Sequence, residues 1–251
     1  MNQGKIYIGT SGWVYEHWDG LFYPTGLSSE GKFAYYQEFF NTVEVNYSFY
    51  RLPSEKAIAH WKEITPPDFV FSLKASRNIT HRGKLEKSGY FLRMFLNRVK
   101  PLGEKLGPIL FQFPPNFKKD KDRLINFLNL LPSGLRTTIE FRNDSWNNPE
   151  IFDLLKEKMV AYCIISAPQL ETRLEITALF VYIRLHGAKA WYASCYTDSE
   201  LKWWAKKIKE ILSDGLDVYI YFNNDFRAYA VKNALKLKEI MKTTETPCKT
   251  G

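Results

Sequence analysis

Short apolar segments and helical segments alternate along almost the whole chain. A strand-like run is followed by a helical pattern again and again, which is typical of a parallel sheet covered by helices. No Gly-x-Gly-x-x-Gly follows the first run, and a count of eight favours a closed ring over an open sheet. The sequence therefore predicts a single α/β domain, a TIM (β/α)8 barrel, with strands at 6–10, 42–46, 68–74, 108–113, 137–142, 161–166, 179–186 and 217–222.

One helix of this alternation is missing from the pattern. Between Ala167 and Thr177 there is room only for a short crossover, so we expect the sixth helix to be irregular or absent. Ser54 and Asp198 are the expected N-caps of two other helices, and Pro149 is the expected first residue of a third. The barrel is predicted to occupy residues 1–241, and residues 242–251 are predicted to form a disordered polar tail. The predicted helices, these three included, cover 32–40, 54–64, 90–99, 120–130, 149–158, 198–212 and 226–241.

Composition narrows the choice of compartment and partner. No run of about 18 apolar residues suggests a membrane span, and no signal-peptide apolar region follows the start, so a cytoplasmic protein without a membrane partner is expected. The cysteines at 163, 195 and 248 are widely spaced, with no Cys-x-x-Cys pair, which favours reduced thiols. A net charge of +8 favours encounters with anions, nucleic acid included, although lysines on helix surfaces also serve solubility alone.

Polar residues end nearly every predicted strand. The C-terminal ends of barrel strands form the face where active sites of this fold lie, while the middle of each strand fills the core. A shared site at this face is therefore predicted. Choosing the inward face by the two-residue period gives Thr10, Glu44 with Asn46, Lys74, Gln112, Glu140 with Arg142, Ser166, Arg184 with His186, and Asn223.

Several of these strand ends carry short motifs, namely 9–13 (GTSGW), 43–46 (VEVN) with 49–53 (FYRLP), 80–81 (TH), 111–115 (FQFPP), 140–142 (EFR) with 145–146 (SW), 184–187 (RLHG) and 221–225 (YFNND). Together these motifs resemble the YecE-like family, the domain of unknown function numbered seventy-two. The resemblance spans about residues 6 to 240 and implies a TIM barrel, but it supplies no reaction. Ala228 stands where the family usually has a glycine, a change that is harmless only with an ordinary φ.

Glu44, Glu140 and His186 are the candidate catalytic residues. The two glutamates sit on strands two and five, so they could face each other across the mouth and divide into general acid and general base. His186 ends strand seven, in the region where many such barrels bind phosphate. The competing interpretation pairs each glutamate with a neighbouring arginine and gives the histidine a structural hydrogen bond.

The candidate substrate-binding residues are cations, amides and aromatic side chains at the same rim. The cations Lys74, Arg142 and Arg184 suit a phosphate or carboxylate group, and the aromatic side chains suit stacking on a base or sugar, although at least half of the aromatic residues are expected to serve local packing. The full set is Thr10, Trp13, Asn46, Tyr50, Arg51, Lys74, His81, Gln112, Arg142, Trp146, Arg184, Tyr192, Asn223, Asn224 and Asp225.

No cofactor is predicted from the sequence. The sequence has four histidines, of which only one or two are expected near the mouth, and these are too few for a multi-zinc barrel site. A Mg or Mn ion on Glu44, Glu140 and Asp225 is compatible with hard oxygen ligands, but no motif supports it.

Two function classes follow. The leading hypothesis is a hydrolase-type enzyme that binds a small anionic, phosphorylated substrate and cleaves a phosphoester or glycosidic bond by acid/base chemistry. The alternative is a nucleic-acid-binding protein without catalysis, built from the basic loop between Arg77 and Lys87 and the aromatic residues. A third is an interaction scaffold that has lost activity. The oligomeric state is not predicted.

Overall fold

Eight parallel strands lie in circular order in a computed structural model that describes residues 3–86 and 88–243. From β2 to β8 each strand pairs with its neighbours in sequence, and β8 pairs with β1 in register from Ile6–Val218 to Thr10–Phe222. The strands are β1 (Ile6–Thr10), β2 (Thr42–Val45), β3 (Val70–Lys74), β4 (Leu106–Gln112), β5 (Thr137–Glu140), β6 (Ala161–Ser166), β7 (Phe180–Leu185) and β8 (Asp217–Phe222).

The ring closes between β1 and β2 by a short contact. Ser11 forms an isolated parallel bridge with Glu44, and the Gly12 N–H donates to the Glu44 carbonyl oxygen at 2.8 Å. Gly9 allows this approach, because a Cβ at that position would lie 2.4 Å from the Thr42 carbonyl oxygen. The predicted TIM (β/α)8 barrel is thus confirmed.

Helices follow every strand except β6. The structure describes α1 (Ser29–Phe39), α2 (Glu55–Ile64), α3 (Arg77–Thr80), α4 (Ser88–Val99), α5 (Lys121–Leu128), α6 (Pro149–Glu157), α7 (Asp198–Ser213) and α8 (Tyr229–Thr243). Both α3 and α4 lie between β3 and β4. Residues 167–179 contain no helix, as the sequence predicts.

The caps follow the sequence signals with one correction. Ser54 and Asp120 accept from the backbone of Ala57 and Arg123, which starts α2 and α5. Asp198 is not the N-cap of α7: Thr197 is, in a capping box with Glu200. The last helix continues to Thr243, past the predicted end at residue 241, and the predicted tail from residue 244 onward lies outside the described residues.

Two apolar layers separate the inside of the ring from its outside. The outward side chains of the strands, such as Ile8 and Phe111, pack against the helices in the larger core. The inward side chains form a second, smaller cluster with Leu110, Tyr182 and Tyr221 at its centre. Polar groups replace apolar ones as the strands approach their C-terminal ends, so the site lies directly on top of this inner cluster. Within the described residues, no helix is long and apolar enough to cross a membrane.

Replacing Gly9 by alanine tests the closure of the ring. We expect Gly9→Ala to lower the free energy of unfolding by about 2 kcal/mol or more, because the new methyl group overlaps the Thr42 carbonyl. The measurement is urea unfolding followed by circular dichroism. Gly31→Ala in α1 is the control: its Cβ meets nothing closer than 3.4 Å, so this variant should be unchanged or more stable by up to about 1 kcal/mol.

Candidate functional site

A single guanidinium joins the two candidate catalytic carboxylates inside the barrel. Arg184 donates from one terminal nitrogen to Glu140 Oε2 at 2.6 Å and from the other to Glu44 Oε1 at 2.8 Å. The two glutamates are fully buried and Arg184 is 1% exposed. Because β2, β5 and β7 each supply one member, the contact exists only when the ring is closed. The predicted gathering of these side chains therefore occurs.

Glu44 has a hydrogen-bond donor for each carboxylate oxygen. Ser11 donates to Oε1 at 2.6 Å, beside Arg184, and the Tyr182 hydroxyl donates to Oε2 at 2.7 Å. Burial alone would raise the pKa of Glu44, but the charge of Arg184 and the three hydrogen bonds outweigh it and lower the pKa. Glu44 is therefore ionised and held in place on every side.

Glu140 is also an ionised carboxylate. Burial opposes this, but Arg142 and Arg184 hold the pKa of Glu140 well below its ordinary value. Arg142 reaches it through Nε, and its guanidinium then extends toward the mouth with 11% of the side chain exposed. The Cys163 thiol lies 3.9 Å from Glu140 Oε2, and burial raises the pKa of that thiol. Two carboxylates thus meet two guanidiniums.

His186 is buried and neutral. Arg142 donates to its Nε2 at 3.0 Å, and the Asn223 amide lies 3.0 Å from its Nδ1. Burial lowers the pKa of His186 to about 4, although Glu140, at 3.9 Å from Nε2, acts in the opposite direction. At neutral pH the Nε2 atom of His186 therefore accepts a hydrogen bond from Arg142 and orients its guanidinium.

Lys74 brings an additional positive charge to the rim. It ends β3, is half-buried, and donates from Nζ to Gln112 Oε1 at 2.6 Å. Burial and the charge of Arg184 lower its pKa to about 8. His81, from the loop after β3, is close enough to be affected: burial and then Lys74 lower the pKa of His81 to about 4.

The loop after β7 covers part of this cluster. The Trp191 ring lies 4.8 Å from the Arg142 guanidinium carbon and 5.5 Å from the His186 ring. The ring of Tyr192, which is 42% exposed, lies 5.5 Å from the His186 ring and 5.6 Å from the Trp191 ring, so the three rings contact one another. The Tyr192 N–H donates to the His186 carbonyl oxygen at 2.6 Å, so the loop folds back over the strand end.

Four predicted substrate-binding residues make packing contacts or hydrogen bonds within the protein, away from the central cluster. Thr10 points outward to the Tyr36 hydroxyl on α1, because the inward residues of β1 are the odd-numbered ones. Trp13 packs on Phe33 at 4.7 Å. Trp146 is fully buried and donates to a backbone carbonyl, and the Asn224 amide binds Ser194 and Asn233. These placements indicate packing and loop anchoring.

The four remaining predicted substrate-binding residues differ in exposure and contacts. Tyr50 is 68% exposed and Arg51 beside it is exposed. The Asn46 amide oxygen is buried without a hydrogen-bond partner. The Asp225 carboxylate lies 3.5 Å from His17. Within residues 3–86 and 88–243, no three His, Cys, Asp or Glu side chains converge as a metal site would require, so Glu44, Glu140 and Asp225 do not form a common ligand set.

The turn after β8 is strained where the resemblance predicted a glycine. Arg227 and Ala228 have φ values of 51° and 58°, in the left-handed region that glycine adopts freely. The alanine is therefore not a harmless change, and it costs about 1–2 kcal/mol of backbone strain relative to an ordinary φ.

Sequence reasoning missed three side chains of the cluster. Ser11 and Tyr182 both bond Glu44, and Cys163 lies beside Glu140. The two-residue period contains the signal for Tyr182, since it precedes Arg184 by two positions on the same face. Ser11 faces inward because the odd-numbered residues of β1 do so, whereas the prediction of Thr10 assumes that the even-numbered residues face inward.

The fold and the cluster define a class: a (β/α)8-barrel protein whose two central carboxylates are joined by a buried arginine. The family described as "Protein of unknown function DUF72" matches residues 7–250, and the chain belongs to that family.

Relatives with similar chains extend the comparison. UPF0759 protein YunF of Bacillus subtilis is 28% identical over 269 residues, 94% of this chain and 94% of the relative. UPF0759 protein YecE of Escherichia coli K12 is 32% identical over 139 residues, 55% of this chain and 48% of the relative. The crystal structure of a DUF72 family protein from Thermotoga maritima, 29% identical, has a TM-score of 0.86 and covers 95% of this chain and 99% of its own. The resemblance stated above is thereby confirmed.

Removing the central guanidinium tests the charge pairing. Arg184→Met should lower the free energy of unfolding at pH 7 by about 3–5 kcal/mol, because Glu44 becomes a buried charge without a cation. Burial without a cation would raise the pKa of Glu44, so the folded variant would hold a proton that the unfolded chain releases. The free energy of unfolding of the variant would therefore fall as pH rises above about 4.5. Urea unfolding at pH 5 and pH 7 measures both effects.

The stability of the wild-type protein should depend on pH in the opposite sense. The lowered pKa values of Glu44 and Glu140 stabilise it above the ordinary glutamate pKa, and that stabilisation is lost as pH falls below it. The difference in free energy of unfolding between wild type and Arg184→Met should therefore be smaller at pH 5 than at pH 7. Arg93→Met, at an exposed position of α4, is the control and should change little. An equal gap at both pH values would contradict the assignment.

Proposed function

We propose that the chain is an enzyme that binds a small phosphorylated or otherwise anionic substrate at the C-terminal mouth of the barrel. The observation that carries this is the charge balance of the cluster. Glu44 and Glu140 are offset by Arg184 and Arg142, so Lys74 adds a positive charge at the rim that no carboxylate of the described residues neutralises by direct contact.

The geometry supports a direct role in binding for Arg142. Its Nε is committed to Glu140 and one terminal nitrogen to His186, while the partly exposed end of the guanidinium carries further N–H groups. Guanidinium groups bind phosphate and carboxylate through paired hydrogen bonds. Trp191 covers one face of the group, so a ligand would approach along its edge.

A small cavity of about 200 Å³ beside Arg142 gives room for the rest of the substrate. It lies between the ends of β5 and β6 and the helix-free crossover, and polar side chains dominate its wall. Such a lining suits a ligand with several hydrogen-bonding groups. The wall includes Asp144, Asn147, Tyr162, Gln169, Glu171 and Arg173.

The two glutamates have a different role from the acid/base division expected from the sequence. A general acid must carry a proton near working pH, and the pKa values of Glu44 and Glu140 are both lowered. Hydrolysis of a glycosidic bond by this pair therefore loses support. In our proposal they are positioning residues that hold Arg184 and Arg142, and proton transfer falls to groups nearer the mouth.

Thermal unfolding with added anions tests the proposal. Inorganic phosphate, sugar phosphates and small carboxylates are to be screened as probes. A ligand at ten times its Kd should raise the Tm by about 3–6 °C, and Arg142→Gln should remove most of that shift. Arg93→Gln is the matched control, since its side chain is exposed on α4. If no probe shifts the Tm, or if both variants lose the shift equally, the proposed site is wrong.

Activity gives the second measurement. Wild type and Glu140→Gln are to be compared on phosphodiester, phosphosugar and glycoside panels. We expect turnover of a wild-type substrate to fall by about tenfold or more in Glu140→Gln, because the carboxamide cannot hold both arginines by charge. Equal turnover would remove Glu140 from the site.

One observation favours nucleic-acid binding as a second candidate function. The exposed Tyr50 ring lies 5.8 Å from the Arg77 guanidinium carbon, at the edge of the basic loop predicted from the sequence, of which Lys87 lies outside the described residues. Exposed aromatic rings beside cations bind single strands by stacking and charge. This function predicts affinity for an oligonucleotide that falls steeply with salt and is weakened by Tyr50→Ala. Weak, salt-independent binding would exclude it.

A further inference from the structure

Lys74 is an amine with an unusual environment for a lysine. Its Nζ donates to one uncharged acceptor, Gln112 Oε1, and the Phe49 ring centroid lies 4.2 Å away on another side. Two other sheltered lysines are bound more fully: Lys32 pairs with Asp19, and Lys105 donates to three oxygen atoms. Lys74 therefore keeps donor and lone-pair capacity that no side chain uses.

The surroundings of Lys74 enlarge the uncharged fraction of its amine, although most of the amine is still charged at pH 7. Burial comes first in lowering its pKa to about 8, and Arg184 and Arg142 repel a third cation, while Glu140 and Glu44 act in the opposite direction. Those carboxylates are already committed to the arginines, so the opposition is incomplete. His81, the other titratable group facing Lys74, is neutral at pH 7. About half of the amine is unprotonated near pH 8, whereas an exposed lysine is almost wholly charged there.

The position of this amine suits attack on a bound molecule. Lys74 ends β3 on the inner face, and the Val45–Leu73 register places Asn46 beside it at the end of β2. The Asn46 amide oxygen is an unpartnered acceptor, available to a hydroxyl or amine proton. The edge of the mouth thus combines a nucleophile, an acceptor and the cations that hold an anion.

We propose that Lys74 forms an imine with a carbonyl compound that carries a phosphate or carboxylate group. This proposal rests on the anion site proposed above and names the reacting part of its substrate. The Nζ lone pair attacks the carbonyl carbon, and the carbonyl oxygen takes up a proton to give a carbinolamine. The C–O bond then breaks, water leaves with the remaining Nζ hydrogen, and a C=N bond forms; no oxidant or reductant is needed.

Reductive trapping tests the imine on the full chain. Wild type is incubated at pH 7.5 with pyruvate or dihydroxyacetone phosphate and sodium cyanoborohydride, and the adduct is located by peptide mass spectrometry. Lys74 should be labelled at least about tenfold faster than exposed lysines such as Lys202, because the larger unprotonated fraction of its amine outweighs the weaker nucleophilicity of a less basic amine. The rate should rise with pH to a plateau above about 8.

Variants and an uncharged probe complete the design. Lys74→Arg keeps the cation and removes the amine, so it should lose the adduct; Lys202→Arg should keep it. Dihydroxyacetone, which lacks the phosphate, should label Lys74 more slowly than its phosphate ester, and Arg142→Gln should abolish the difference. Label spread evenly over exposed lysines, or an unchanged adduct yield in Lys74→Arg, would overturn the proposal.

The outcomes separate the two proposals. If anions raise the Tm through Arg142 but no adduct forms on Lys74, the imine is wrong and the anion site stands. If Lys74 is labelled equally by charged and uncharged carbonyl probes and no anion raises the Tm, the anion site fails, and so does the substrate class assigned to Lys74.

Discussion

The ion pairs of Arg184 dominate the upper half of the barrel. A guanidinium and two carboxylates, all removed from water, are stable only as a set, since each alone would be a buried charge. Their backbones belong to β2, β5 and β7, which are distant in sequence and lie around one ring. The Ser11 hydroxyl and the Tyr182 hydroxyl bind Glu44 of this set, and the Arg142 guanidinium binds Glu140.

The cluster changes in character from the barrel interior to solvent. At its base, tyrosine hydroxyls bind the strands and Glu44; Tyr221, for example, contacts Thr42 at 2.7 Å and Ser72 at 2.8 Å. Above them the charges are paired, and nearest the solvent Lys74 and Arg142 retain unused donors. Under the proposed function, the fixed charges below would hold the free donors above in position for an anion without movement of the protein.

The strand and helix pattern was readable from the sequence because burial on both faces leaves a local signal. The bounds of β1, β6 and β8 agree with the expected ones, and the missing helix after β6 follows from chain length alone. The polar strand ends located Glu44, Glu140, Arg184 and His186. What the sequence could not supply was pairing in space: that one arginine joins both glutamates depends on the ring closing. The predicted placement of Thr10 at the mouth was wrong because the inward face of a strand is ambiguous where both faces are buried. That of Trp146 was wrong because an aromatic side chain in a loop is as often part of the core as of the surface.

The helix-free crossover after β6 has a consequence for how such a protein can diversify. Residues 167–179 form part of the cavity wall beside Arg142, yet almost none of them belongs to the apolar layer that joins strands and helices. Elsewhere around the ring, reshaping the mouth would disturb a packed helix. Here, insertions or exchanges of side chains would change the cavity wall while the charge pairs beneath stay as they are, so the shape of the cavity and the architecture of the barrel are separable at this crossover.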